Sequence, residues 1–149
     1  MTLAMTPQDR YQDAEEEPPR RLYVYNSGFF SQSRIKRILA LAGWQVALGR
    51  PSKGDWVGVW GDAPSARRGV SVAEGHDAPV LRVEDAFLRS LHPGRIEKEP
   101  PLGLLLDRSG MHFDAARPSD LEKLLIEDPL DDTALLNEAR DLMARMVQQ

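Results

Sequence analysis

The sequence predicts a Rossmann-like α/β domain: a doubly wound, mostly parallel sheet with one β-hairpin. Three observations carry this reading. Short, largely apolar runs, Leu22-Tyr23-Val24-Tyr25-Asn26, Trp56-Val57-Gly58-Val59-Trp60 and Pro79-Val80-Leu81-Arg82-Val83, have the length and hydrophobicity of strands covered on both faces. Between them stand segments whose apolar residues recur three and four apart, the strand-helix alternation of a parallel sheet. Finally, Asp107-Arg108-Ser109-Gly110 separates two further runs and predicts the hairpin, with Gly110 available for a positive φ.

Taken in order, residues 1–21 are polar and acidic and end in Pro18-Pro19-Arg20-Arg21. They cannot bury enough apolar surface to offset the entropy of ordering, so a flexible tail is expected there and a folded domain over 22–149. The first strand opens at Leu22 and is bounded by Ser27-Gly28. Ser33 can cap a helix that carries Ile35, Ile38, Leu39, Leu41 and Ala42 inward and Arg34, Lys36 and Arg37 outward, with Gly43 as its stop. Trp44 to Leu48 reads as the second strand and Trp56 to Trp60 as the third. A helix opens at Pro64-Ser65, where proline is tolerated in the first turn. After the Pro79–Val83 strand, Glu84 to Leu91 reads as a short helix or turn. Leu102 to Leu106 is a strand, with Met111-His112-Phe113-Asp114 as its hairpin partner. Pro118-Ser119 opens a helix through Ile126, and Asp131-Asp132-Thr133 caps a last one reaching about Met146.

Composition narrows the function. A chain of 149 residues with 42% hydrophobic content fits one core. A formal charge of -4 gives no basic footprint for nucleic acid. With no cysteine, a disulfide framework or thiolate metal site is excluded. No apolar run approaches the roughly 20 residues of a membrane-spanning helix, and the N-terminal segment lacks the pattern of a secretory signal. His76, His92 and His112 lack the helical spacing of a metal pair, and nucleophile-elbow and phosphate-loop motifs are absent. No cofactor and no metal is expected.

Ligands of doubly wound sheets bind at the carboxyl ends of strands. That rule singles out three segments. In Asn26-Ser27-Gly28-Phe29-Phe30-Ser31-Gln32-Ser33, amides of a glycine-containing loop could meet an anionic group, although an ordinary strand-to-helix turn with Ser33 as cap is the favoured explanation. Trp60-Gly61-Asp62-Ala63-Pro64-Ser65-Ala66-Arg67-Arg68 offers arginines able to meet a carboxylate or phosphate, or simply solvated on a surface helix. In the third, a strand runs into Glu84-Asp85 and then Phe87-Leu88-Arg89-Ser90. Two carboxylates followed by a cation could orient a polar ligand, cap a helix, or pair internally. Trp44, Trp56 and Trp60 occupy strand positions where core packing is expected.

Three blocks stand in register: Gly61-Asp62-Ala63-Pro64-Ser65-Ala66-Arg67-Arg68, then Val80-Leu81-Arg82-Val83-Glu84-Asp85-Ala86-Phe87-Leu88-Arg89-Ser90, then Pro100 to Glu122 with Asp114-Ala115-Ala116-Arg117-Pro118-Ser119. Together they resemble the capsular polysaccharide biosynthesis and export family. Its signature usually reads Glu-Asp-Gly-Phe-Leu-Arg-Ser and its later block Asp-Ala-x-Arg-Pro-Ser. Ala86 replaces the glycine here, and Ala63 stands where a lysine is usual. The resemblance runs from Leu22 to about Arg145 and implies the partial first domain of a GT-B glycosyltransferase, a Kdo transferase. It implies CMP-Kdo as sugar nucleotide donor and a lipid-linked glycan acceptor, with a cytoplasmic location, peripheral at the inner membrane. Ser27, Gly28, Ser65, Arg67, Glu84, Asp85 and Arg89 are the substrate-binding candidates. By comparison with the family, the residue that performs the transfer is expected beyond Gln149, and the chain is expected to be inactive alone. The alternatives are a non-catalytic glycan-binding or docking module of a split transferase, and a receiver-like regulatory domain suggested by fold class alone.

Overall fold

A computed structural model describes residues 18–90, 92, 99–129 and 131–147. Most of the expected flexible tail, residues 1–17, lies outside the described residues. The elements are β1 (Arg20–Val24), α1 (Gly28–Ser31), α2 (Ser33–Leu41), β2 (Trp44–Ala47), β3 (Trp56–Trp60), α3 (Ala66–Gly75), β4 (Val80–Asp85), β5 (Leu104–Asp107), α4 (Asp120–Glu127) and α5 (Thr133–Val147). The first strand thus starts two residues before Leu22: Arg20 pairs with Trp44 in the β1–β2 ladder, and its guanidinium lies 4.3 Å over the Trp44 ring. A cation over an indole explains how an arginine joins a strand that hydrophobicity alone would start later.

The strand order is β2-β1-β3-β4-β5. The first four strands are parallel and β5 is antiparallel to β4. This is the doubly wound α/β sheet the sequence predicts. Its two faces are packed separately. Leu22, Val24, Leu81 and Val83 meet Phe29, Ile35 and Leu39 of α1 and α2 on one side, while Val57 and Val59 meet Ala66 and Ala73 of α3 on the other. The approach of α3 to β3 depends on Gly69, where a Cβ would lie 2.6 Å from Val59 Cγ1.

The hairpin is placed differently from expectation. Met111 to Asp114 forms turns, not a strand; the antiparallel partner of β5 is β4, with Arg82 opposite Asp107 and Asp85 opposite Leu104. The reason is Asp107. It is 1% exposed, and its carboxylate accepts from the backbone N–H groups of Ser109 (2.8 Å), Gly110 (2.7 Å) and Asp120 (2.8 Å). These bonds fold the segment after β5 back toward the start of α4, where it cannot run as a ladder. Gly110 has no positive φ; it is needed for room, since a Cβ would stand 3.2 Å from the carbonyl oxygens of Arg117 and Pro118.

Helix boundaries follow local chemistry. Gly43, at φ 78°, ends α2 as expected. Ser33 is the first helical residue of α2, not its cap; Gln32 takes that position without a side-chain bond. The α4 start is a capping box: Glu122 N–H donates to Ser119 Oγ at 3.1 Å, and Ser119 N–H donates to the Glu122 carboxylate at 2.7 Å. Those Ser119 bonds hold Glu122 below the usual glutamate range. Just before α5, Asp132 accepts from Leu135 N–H at 3.0 Å. No residue of α4 or α5 is buried.

Candidate functional site

In a sheet ordered 2-1-3-4 the connections leaving β1 and β3 turn to opposite faces, and the crevice between their carboxyl ends is the default ligand position. Asn26 Oδ1 accepts from Gly28 N–H at 2.9 Å, which shapes the turn after β1. Asn26 Nδ2 donates to Ser65 Oγ at 3.1 Å. That bond spans the switch point and ties together two segments the sequence singled out separately. Ser27, Ser65 and Arg67 are exposed at this rim, and Gly28 is half-buried.

The turn after β3 is built around Gly61. At φ 47° it sits in the left-handed region, and a Cβ there would fall 1.7 Å from Glu84 Oε1. The Glu84 carboxylate therefore occupies the space that only a glycine leaves. Gly61 N–H donates to Val83 O at 2.9 Å, and Arg82 Nη1 donates to Gly61 O at 2.8 Å and approaches Asp62 Oδ1 at 3.7 Å. These contacts fix β3 against β4 where both strands end.

Strand alternation separates the two neighbouring carboxylates. Glu84 joins Arg82 on the side of the Gly61 turn. Asp85 instead faces the α1–α2 side, where Ser31, Gln32, Ile35, Trp60, Asp85 and Arg89 line a cleft of about 560 Å³, closed by Glu99 and Pro101. Arg89 Nε donates to Asp85 Oδ2 at 2.6 Å. No helix forms over residues 86–90: Phe87 and Leu88 make a bend, and Leu102 N–H donates to Arg89 O at 2.7 Å. The Arg89 backbone is thus spent on a loop contact, and its side chain returns four residues back to Asp85. Leu91 lies outside the described residues.

Glu99 supplies the second acidic wall. The His92 backbone N–H donates to its carboxylate at 3.0 Å and holds it below the usual glutamate range, with the His92 ring at 3.5 Å acting in the same direction. The floor is aromatic. Trp60 packs edge-on to Phe29 with centroids 5.9 Å apart. Trp44 and Trp56 pair edge-on at 5.4 Å within the core, as expected, but Trp60 serves both core and cleft. A cleft with a guanidinium, two carboxylates and an indole face suits a polyhydroxylated ligand that carries a negative group. Among the described residues no three His, Asp or Glu side chains converge as a metal site requires.

Sequence reasoning thus brings Asp85 and Arg89 to the cleft, with Ser31 and Gln32 inside its first candidate segment, but reads Trp60 as core and misses Glu99 and Pro101. For Trp60 the signal was available, since it ends a strand at the switch point. Glu99 carries none, because its place depends on how the 86–103 connection folds back.

Comparisons with known proteins bear on the family and the fold. The family described as "Capsule polysaccharide biosynthesis protein" matches residues 55–147, more than half of the chain. The capsule polysaccharide modification protein LipA of Neisseria meningitidis serogroup A is 34% identical over 89 residues, 60% of this chain and 12% of LipA. The lipopolysaccharide-processing protein LpsZ of Rhizobium meliloti is 43% identical over 67 residues, 44% of this chain and 15% of LpsZ. Among solved structures, the β-Kdo 2,4 transferase of Thermosulfurimonas dismutans KpsC superposes with a TM-score of 0.68 at 28% identity, covering 84% of this chain and 38% of that one. The β-Kdo 2,7 transferase of the same protein gives a TM-score of 0.58 at 24% identity, covering 84% and 42%, and supports the fold alone. The chain therefore spans a minor part of each relative.

Proposed function

Because the chain belongs to the capsule polysaccharide biosynthesis family, we propose that it forms the acceptor-side wall of a Kdo-transferring glycosyltransferase of GT-B type. The observation that carries this reading is the cleft at the carboxyl end of β4, where Asp85, Arg89, Glu99 and Trp60 converge on a fold that superposes on a Kdo transferase. Kdo is an acidic sugar. The Arg89 guanidinium, held through Nε by Asp85, keeps its outer edge toward the cleft for the carboxylate of a Kdo unit. Asp85 and Glu99 take sugar hydroxyls, and the Trp60 face takes a ring edge. Ser27, Gly28, Ser65 and Arg67 border the crevice where a second, donor-binding lobe would face this one, and Glu84 shapes the Gly61 turn beneath it.

In this reading CMP-Kdo is the donor, a lipid-linked glycan is the acceptor, and the work is done in the cytoplasm at the inner membrane, ahead of export. No helix among the described residues is long and apolar enough to cross a membrane. In this reading the cytidine of the donor is held by the second lobe, so the chain alone is expected to be silent. Incubating the full chain with CMP-Kdo and a Kdo-ended glycolipid should yield no mass-shifted product; turnover by the chain alone would overturn the half-site reading. A docking role is favoured by a separate observation: Leu124, Leu125 and Ile126 of α4 and Leu135, Leu142, Met143, Met146 and Val147 of α5 are all exposed. An apolar stripe of that extent fits a module that packs on the remainder of a split transferase.

A further inference from the structure

The Asp85–Arg89 cleft lies on the face of the sheet covered by α1 and α2, whereas a second cavity, of about 950 Å³, opens on the face covered by α3. The two share no lining residue. One wall is built just beyond the carboxyl ends of β1 and β2. Tyr25 O–H donates to Gly49 O at 2.8 Å, and Gly49, at φ 123°, makes a turn that favours glycine and delivers Arg50 to the rim. The other wall is α3, where Arg68, Ser71 and Gly75 recur on one helix face. His76 ends that face, its Nδ1 donating to Val72 O at 2.9 Å. Burial, and then Tyr23, hold the Tyr25 phenol above the usual tyrosine range; Arg50 and Arg68 pull against them, so both guanidiniums stand within electrostatic reach of one ring. None of the described ion pairs involves Arg50 or Arg68. No acidic residue lines the cavity, because Glu74 and Asp77 turn to the β4 side of α3 and line a separate one.

We propose that this cavity binds a diphosphate group, free or as part of a nucleoside diphosphate, with Arg50 and Arg68 gripping it from opposite walls and the Ser71 hydroxyl donating between them. A carboxylate presents its oxygens in one plane and along one edge, which suits a guanidinium on a single wall. A diphosphate presents oxygens all round and meets guanidiniums from both. Arg68 and the His76 ring stand eight residues apart, about 12 Å along α3. That length suits a ligand longer than a single phosphate. Beside the two arginines, the Tyr25 ring and Val72 leave an apolar wall and room for a nucleoside. The site lies where a parallel sheet holds its ligands, at the carboxyl ends of its strands, but on the opposite face from the acidic-sugar cleft. It stands on charge and geometry around α3 and is independent of what that cleft takes.

The test is calorimetric titration of the full chain with pyrophosphate and with uridine diphosphate, against inorganic phosphate, cytidine monophosphate and citrate, with amide shifts to locate the binding. None of these probes carries Kdo, so the outcome is separate from that of the acceptor reading. Expected are saturable binding of a diphosphate, shifts at Gly49, Ser71 and Gly75 with none at Ser31, Asp85 or Glu99, and binding of the three control anions at least about tenfold weaker. Tighter binding of uridine diphosphate than of pyrophosphate identifies a nucleoside diphosphate as the ligand; equal or weaker binding identifies the diphosphate alone. Arg50→Gln and Arg68→Gln should each weaken the diphosphate by about tenfold or more, and Arg37→Gln, on the opposite face, should leave it unchanged. Both cavity arginines are exposed, so thermal melting should hold in either variant. Should one variant fail to fold, the other and the shifts of the unaltered chain decide. Absence of binding, equal binding of inorganic phosphate, cytidine monophosphate or citrate, shifts gathered at the cleft, or an equal loss for Arg37→Gln would each overturn the proposal.

Discussion

Asp107→Ala is expected to lower the stability of the chain by about 3–5 kcal/mol, the cost of removing a buried charged acceptor and leaving its donors unmet. The carboxylate is 1% exposed and receives three backbone N–H groups from two separate places, the turn after β5 and the first residue of α4. Asp107→Asn keeps one acceptor oxygen but points an amide at a donor, so an intermediate loss is expected. Urea unfolding of the full chain checks this: the midpoint should fall in the order wild type, Asn, Ala, with the slope unchanged. A change under about 1 kcal/mol for Ala would mean that water replaces the carboxylate and that this junction does not hold β5 to α4.

The network extends outward from that junction. Asp120 accepts from Ser109 Oγ at 2.6 Å and from Arg108 N–H at 2.9 Å. Burial alone would raise its pKa, but the Ser109 hydroxyl and the Arg108 amide and guanidinium outweigh burial and hold the carboxyl below the usual aspartate range. A single buried carboxylate therefore anchors a shell of exposed and half-exposed ones, which is why the Asp107 substitution should exceed any change made on the surface.

The second large effect concerns Arg89. Arg89→Ala is expected to weaken binding of a Kdo glycoside by about tenfold to a hundredfold, the range for losing a charge-assisted, two-pronged contact to a carboxylate. Arg89→Lys should recover only part of it, because an ammonium cannot present two parallel donors. Stability should hardly move: Arg89 is 53% exposed in its pair with Asp85, and exposed pairs contribute little. Calorimetric titration alongside thermal melting separates the two readouts. Unchanged affinity in Arg89→Ala would remove the carboxylate-binding role, and a collapse in stability would make Arg89 a structural residue.

How much of this was legible beforehand varied with the kind of signal. The parallel strands were readable because Val57-Gly58-Val59 and Val80-Leu81-Arg82-Val83 are short and apolar but for Arg82, as strands covered on both faces tend to be. Gly43 and the Pro118-Ser119 pair marked helix ends by local chemistry that tertiary structure did not override. The second hairpin strand was misread because Met111-His112-Phe113 has strand-forming residues after a good turn, whereas the decisive interaction is Asp107 reaching across to Asp120 N–H, thirteen residues on. The pairing of β4 with β5 crosses the 86–103 connection and has no short-range signature. Likewise, Glu84 and Asp85 read as one acidic pair until alternation along β4 sends one toward Gly61 and the other into the cleft.

The central claim is that the cleft beside Asp85 and Arg89 takes an acidic sugar acceptor. Its most direct test is a titration of the isotope-labelled chain with a Kdo glycoside, and separately with cytidine monophosphate, followed by amide and tryptophan indole shifts. The predicted result is saturable movement of Ser31, Gln32, Trp60, Asp85, Arg89 and Glu99 with the Kdo glycoside and none with cytidine monophosphate. Movement with the nucleotide, or shifts with the glycoside gathered elsewhere on the fold, would contradict it.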